Sequence, residues 1–176
     1  ALRPVQPGVF LAGGAAPDRR TILLAATLST GGVAVARSAA ELHRIPGLPR
    51  PDVPEVLIQG RSLARLGPDV VVHRTTWLPG DDLVVVEGIP CTSVARTLFS
   101  LAALVPEVPL DVVRGAVDEA ARLRLASDDW LWWRLEKLRC RGRNGVRAFE
   151  SILTARADSP TESWLERQML RVLERG

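Results

Sequence analysis

The chain has 176 residues, of which 47% are hydrophobic and 24% charged, with a formal net charge of +3. This is enough for one sizeable core or two small ones, and the balance is that of an ordinary soluble globular protein, expected in the cytoplasm. It excludes a membrane span, for which no apolar run approaches the roughly 20 residues needed, and a disulfide framework or zinc centre, since Cys91 and Cys140 are far apart and only His43 and His73 accompany them.

In chain order, Val5 and then Val9 to Leu11 predict a wing-like hairpin, followed by a Gly/Ala turn at Gly13 to Ala16. A helix is expected from about Asp18 to Thr30, with Asp18 as N-cap and Gly31-Gly32 as stop. Val33 to Ala36 reads as a strand feeding a short helix, Ser38 to Arg44, which the Pro-rich stretch Pro46 to Pro54 ends. Three apolar runs follow, Glu55 to Gln59, Asp69 to Arg74 and Leu83 to Glu87, separated by Gly/Pro/Asp turns; they predict a small mixed or antiparallel sheet.

Gly88 to Ala102 then reads G-I-P-C-T-S-V-A-R-T-L-F-S-L-A. Gly88 suits the turn after the valine-rich run, Pro90 fixes φ and removes a donor, and Thr92 or Ser93 is placed to accept from the first free helical amides. Val94, Leu98, Leu101 and Ala102 form one apolar stripe. Physically this is a strand-to-helix corner in a core, in which Arg96 is expected to lie across the corner and bond carbonyls or an acidic partner such as Glu87. From there the spacing is helical: Ser93 to Leu104, Leu110 to Leu123, Asp128 to Leu138, Val146 to Ala155 and Pro160 to Glu174, with caps at Ser93, Ser127 and Ser159. A border is expected at Arg139 to Gly145 or at Ala157-Asp158.

The charge rests on Arg, with Lys137 the one lysine. The N-terminal part, which includes Arg3, is basic, and Arg134 to Arg147 is the densest patch, with Arg134, Lys137, Arg139, Arg141, Arg143 and Arg147 against Glu136. A basic loop with glycines fits either a phosphate-tracking surface or a solvated linker. Trp130, Trp132 and Trp133 just before it suit base stacking, but the helical spacing of Leu131, Trp132, Leu135 and Leu138 favours packing for Trp132. No phosphate-cradling glycine loop, nucleophile elbow or H-E-x-x-H is present.

The Gly88 to Ala102 segment resembles the G-x-P-V-T-S-x-x-R-T-L-x-D-L-A corner of AbiEi-type antitoxin-like proteins, the regulatory halves of abortive-infection toxin-antitoxin pairs, many of them actinobacterial. Ser38 to His43 (S-A-A-E-L-H) resembles that family's S-A-A-x-L-H-G helix, and Val5 to Phe10 resembles the h-x-G-V-Y end of its winged helix. The chain departs from the pattern at Cys91 (usually Val) and Ser100 (usually Asp). The resemblance covers residues 1 to 110. From Ser159 onward the chain resembles the opening helix of a Vsr-like, PD-(D/E)XK-type nuclease domain, in which Glu162 would help arrange metal-binding carboxylates and the full-length protein would take Mg²⁺. Ser159-Pro160-Thr161-Glu162 is equally a capping box, and capping alone explains the spacing. No cofactor is expected for this stretch of chain.

The expected organisation is therefore an α/β (α+β) fragment cut at both ends. Residues 1–16 are a winged-helix remnant (the wing), 17–140 an antitoxin-like α/β domain with a helical extension, 141–158 a basic linker and helix, and 159–176 the first helix of a truncated Vsr-like domain. The resemblance implies a DNA-associated antitoxin or transcriptional regulator, binding DNA through helices missing from the N-terminus and opposing a cognate toxin of nucleotidyltransferase type. The alternatives are a Vsr-like endonuclease with an N-terminal targeting module, or a non-catalytic interaction module.

Overall fold

The computed structural model describes residues 2–14, 16–60, 69–140 and 143–158. Arg141 and the helix expected at 160–174, with Ser159 and Glu162 at its start, lie outside the described residues. The fold is of α/β class, built among the described residues from a two-stranded hairpin, a five-stranded mixed sheet and six helices.

The hairpin pairs β1 (Leu2–Gln6) with β2 (Val9–Ala12) in antiparallel register. It turns at Gly8, whose φ of 77° is one that side-chain-bearing residues rarely adopt. Its inner side rests on α1 (Arg19–Thr30): Gln6 is buried, and Ser29 Oγ donates to the Pro7 carbonyl at 2.8 Å. Helix α1 begins and ends as its sequence predicts. The Asp18 carboxylate accepts from the Thr21 amide at 2.7 Å, and Gly31 closes the last turn in the left-handed region.

Strand β3 is only Val33–Ala34, and α2 spans Ala36–Leu42, so the strand is two residues shorter than its apolar run predicts and the helix starts two residues early. The reason is long-range. The buried first residue of β4 (Glu55–Gln59) collects this segment: Val35 N–H donates to the Glu55 carbonyl at 3.1 Å, and Arg37 N–H to its carboxylate at 2.7 Å. The Arg37 guanidinium adds bonds of 2.8 and 2.5 Å to Glu55, and the Glu55 amide donates to Ser38 Oγ. Ala36, at φ 49°, takes the strained corner that this requires.

Strand β5 (Val71–Thr75) pairs parallel with β4, from Glu55 opposite Val71 to Gln59 opposite Thr75. A short 3-10 turn at Gly80–Asp82 leads into β6 (Leu83–Val86). Gly88 takes the turn after the valine-rich run, as expected, but the turn leads into a strand that the sequence reading did not include. With Glu87 it makes a tight turn, both at positive φ (51° and 80°), into a further strand, β7 (Ile89–Thr92). Pro90 lies within β7, opposite Val85. The sheet order is β5-β4-β3-β7-β6, with β3–β7 parallel and β3–β4 and β6–β7 antiparallel.

Helices α3 (Val94–Ala102), α4 (Leu110–Arg122), α5 (Asp128–Leu138) and α6 (Val146–Asp158) pack together. The expected stripe of Val94, Leu98, Leu101 and Ala102 is buried, as are Leu131, Leu135 and Leu138. Phe149, Ile152 and Leu153 of α6 enter the same core, and the Phe149 ring stands edge-on to Phe99 with centroids 5.8 Å apart. Full burial of each such side chain stabilises by about 1.5–3 kcal/mol. The helix expected at Val146 to Ala155 is thus present as α6 and belongs to the same core as α3, α4 and α5. A smaller cluster, with Leu23, Ala39, Leu42, Ile89 and Cys91, joins α1 and α2 to the sheet. Among the described residues, no helix is long and apolar enough to cross a membrane.

Candidate functional site

The corner that dominates the sequence folds into a dense polar lock. Ser93 caps α3 by accepting from the Arg96 amide at 3.4 Å, and its own amide donates to the Asp82 carbonyl at 2.8 Å. The hydroxyls of Thr92 and Thr97 lie 2.7 Å apart, both buried. His43 Nε2–H donates to the Thr92 carbonyl at 2.7 Å. Burial lowers the His43 pKa, with the bond to Thr92 opposing it.

Arg96 does cross the corner, but to a different partner from the one expected. Its Nη1 bonds Asp82 Oδ2 at 3.1 Å and its Nη2 reaches Thr75 Oγ1 at 3.4 Å. Glu87, the partner the sequence suggested, is engaged by Arg20 and Arg44. On its other side Asp82 meets Arg134 of α5, with Nε 3.1 Å from Oδ1. Arg134 belongs to the densest basic stretch of the sequence, yet it is 1% exposed, its guanidinium 4.5 Å from the Trp133 ring centroid. No local pattern links Asp82 to α5; the packing of α5 on α3 brings them together.

This buried group is charge-unbalanced, with two guanidiniums sharing one carboxylate. Among the described residues, Arg96 Nε, Arg134 Nε and Nη2, and Asp82 Oδ1 have no aligned hydrogen-bond partner. Burial raises the Asp82 carboxyl above its ordinary pKa, with the two arginines pulling it back, and burial likewise lowers the pKa of Arg96 while Asp82 opposes.

Above Arg96 opens a groove of about 560 Å³ between β5, α3 and the turn before α6. Its polar lining includes His73, Thr75, Arg96, Ser100, Arg143 and Asn144, with Leu57, Phe99 and Ala103 beneath. No aspartate or glutamate is among its described lining residues. At Ser100, where the resembled corner carries Asp, the hydroxyl donates back to the Arg96 carbonyl at 2.9 Å. Arg143 Nη1 donates to the Leu138 carbonyl at 2.8 Å, and its guanidinium stands 6.0 Å from the centroid of the Trp77 ring.

The remaining residues singled out in the sequence are dispersed. Arg3 is exposed on β1. Arg139 is held between Glu136 and Glu150, at 2.9 Å from each, which raises its pKa. Arg147 is exposed on α6, and Arg141, Ser159 and Glu162 fall outside the described residues. Trp130 and Trp132 pack against the main core while Trp133 is exposed. Cys91 is buried, its thiol pushed up to about 11 by desolvation, whereas Cys140 is exposed at the groove. Among the described residues, no group of three or more His, Cys, Asp or Glu side chains could hold a metal ion. No family model matches the chain, and no curated protein matches it.

Proposed function

We propose that the chain is a DNA-associated regulatory module of a cytoplasmic toxin-antitoxin pair, similar to AbiEi-type antitoxins. The observation that carries this reading is the β1–β2 hairpin. Gln6 and the Ser29–Pro7 bond fix its inner side to α1, while Arg3, Leu2 (70% exposed) and Phe10 (59%) face outward. A rigidly mounted, cation-bearing hairpin is a means of laying backbone contacts along a duplex without reading bases. The shared Gly88 to Ala102 corner fits the same reading as scaffold, since its polar groups are occupied in holding the domain together. The cognate toxin would be met by another surface of the same module.

Labelled duplexes of unrelated sequence, titrated at several salt concentrations, test this. Binding should be weak, nearly sequence-blind and salt-sensitive, and Arg3→Ser should reduce the log-log salt slope by roughly 0.9, the value of one neutralised phosphate. Changing Arg139, Arg141 and Arg143 together to Ser reports whether these three cations add phosphate contacts. Binding that survives all four changes with its slope intact refutes the hairpin's role. Cleavage of supercoiled plasmid in Mg²⁺, abolished by Glu162→Ala, would instead establish the endonuclease reading.

A further inference from the structure

The groove over Arg96 shares no lining residue with the hairpin or α1, so what it binds is a separate question from DNA association. Its volume falls in the range of small-molecule pockets, roughly 300–1,000 Å³, and is far too small for a duplex. Charge decides the kind of ligand. Arg96 and Arg134 together exceed Asp82 by one positive charge, Arg143 adds a second that makes no ion pair among the described residues, and Arg74 also lines the groove. Arg96 is 4% exposed and its Nε–H has no partner among the described residues, and Nε2 of His73, which also lines the groove, is buried with none among them either. Asn144, Ser100 and Thr75 supply neutral hydrogen-bonding groups around these cations. Beyond Arg143 stands Trp77, 37% exposed, offering a flat face of the kind on which bases stack.

We propose that this groove is a binding site for a nucleotide-sized phosphate monoester, with the phosphate dianion between Arg96 and Arg143 and the base toward Trp77. A monoester carries close to two negative charges at neutral pH and so suits a groove lined by cations and no described carboxylate better than a backbone diester, which carries one. Arg143 is the recognition residue open to solvent. Arg96 is the buried one, kept in place by Asp82 and Thr75. The chemistry is shared by two sources, a free nucleoside monophosphate and the 5′-phosphate end of a nucleic-acid strand.

The test uses the full chain and two readouts, calorimetric binding and the alkylation rate of Cys140, which sits at the groove. The ligands are adenosine monophosphate, inorganic phosphate, and one short single-stranded oligonucleotide bearing either a 5′-phosphate or a 5′-hydroxyl. The phosphorylated strand should bind at least about tenfold more tightly than its hydroxyl counterpart and slow Cys140 alkylation, and Arg143→Ser should abolish that preference, as removal of a charge-assisted bond predicts. If adenosine monophosphate competes with the strand, the source is a free nucleotide; if it does not, a strand end. Trp77→Ala should weaken the nucleotide while leaving inorganic phosphate unchanged. Equal binding of the two strands, an Arg143→Ser protein that keeps the preference, or Cys140 left unprotected would each overturn the proposal. Arg143→Ser removes no buried ion pair, so its loss of binding is not a loss of fold. Because the comparison is between two 5′ ends of one single strand, it stands or fails independently of duplex binding at the hairpin.

Discussion

Asp82→Ala should be among the most damaging single substitutions in this chain. It removes the carboxylate that faces the guanidiniums of Arg96 and Arg134, whose side chains are 5% and 1% exposed, and leaves both charges with neither water nor a counter-ion. Breaking a buried ion pair from one side costs about 3–5 kcal/mol. For a domain of 150–250 residues each kcal/mol moves Tm by roughly 2–4 °C, so the expected fall is about 6–20 °C. The same reasoning predicts a rescue. Replacing the whole group by apolar residues removes the uncompensated charges, so Asp82→Ala combined with Arg96→Met and Arg134→Met should recover most of the loss. Urea and thermal melts followed by far-UV circular dichroism, arranged as a mutant cycle, measure both effects. A single variant that loses less than about 1 kcal/mol, or a triple variant no more stable than the single, would refute the argument that Asp82 organises the corner.

Gly32→Ala should destabilise by about 1–3 kcal/mol, because its Cβ would come 2.7 Å from the Leu57 carbonyl oxygen and 2.8 Å from Ile58 Cγ2. Gly115→Ala, on α4 with nothing within 4 Å, should stabilise by about 0.5–1 kcal/mol in the same melts. In native protein at pH 8 one thiol, Cys140, should react with a disulfide reagent, and both should react in denaturant, because burial holds the Cys91 thiol protonated at pKa about 11; rapid native reaction of both would contradict this. Burial lowers the pKa of His43 and His73 below 6.5, so the unfolded chain takes up protons first, and their contribution to stability is complete above about pH 6.5 and declines as pH falls through the folded values. Urea melts between pH 7.5 and 5.5 should show that decline, and His43→Gln with His73→Gln should flatten it.

What was legible in the sequence was what neighbours along the chain decide. The Asp18 cap, the Gly31 stop, β4 at Glu55–Gln59 and α5 at Asp128–Leu138 follow from capping residues and period alone. What was hidden depends on partners distant in sequence. Strand β7 was missed because Ile89–Thr92 is short, contains a proline and borders a helix cap, and it is a strand only because β6 and β3 flank it. The early start of α2 is set by Glu55, and the clamp on Asp82 needs α5 to lie against α3, so Arg134 looked like one more surface cation until its burial was known. The groove had no sequence signature at all, since β5, α3 and the turn before α6 each contribute part of its lining.

DNA association through the hairpin is best examined by hydrogen exchange of the backbone amides with and without a duplex at low salt. Exchange should slow over the hairpin, residues 2–12, and this protection should disappear when salt is raised and when Arg3 is changed to Ser. Binding that leaves the hairpin amides unchanged while protecting other elements, or no protection anywhere at saturating duplex, would contradict it.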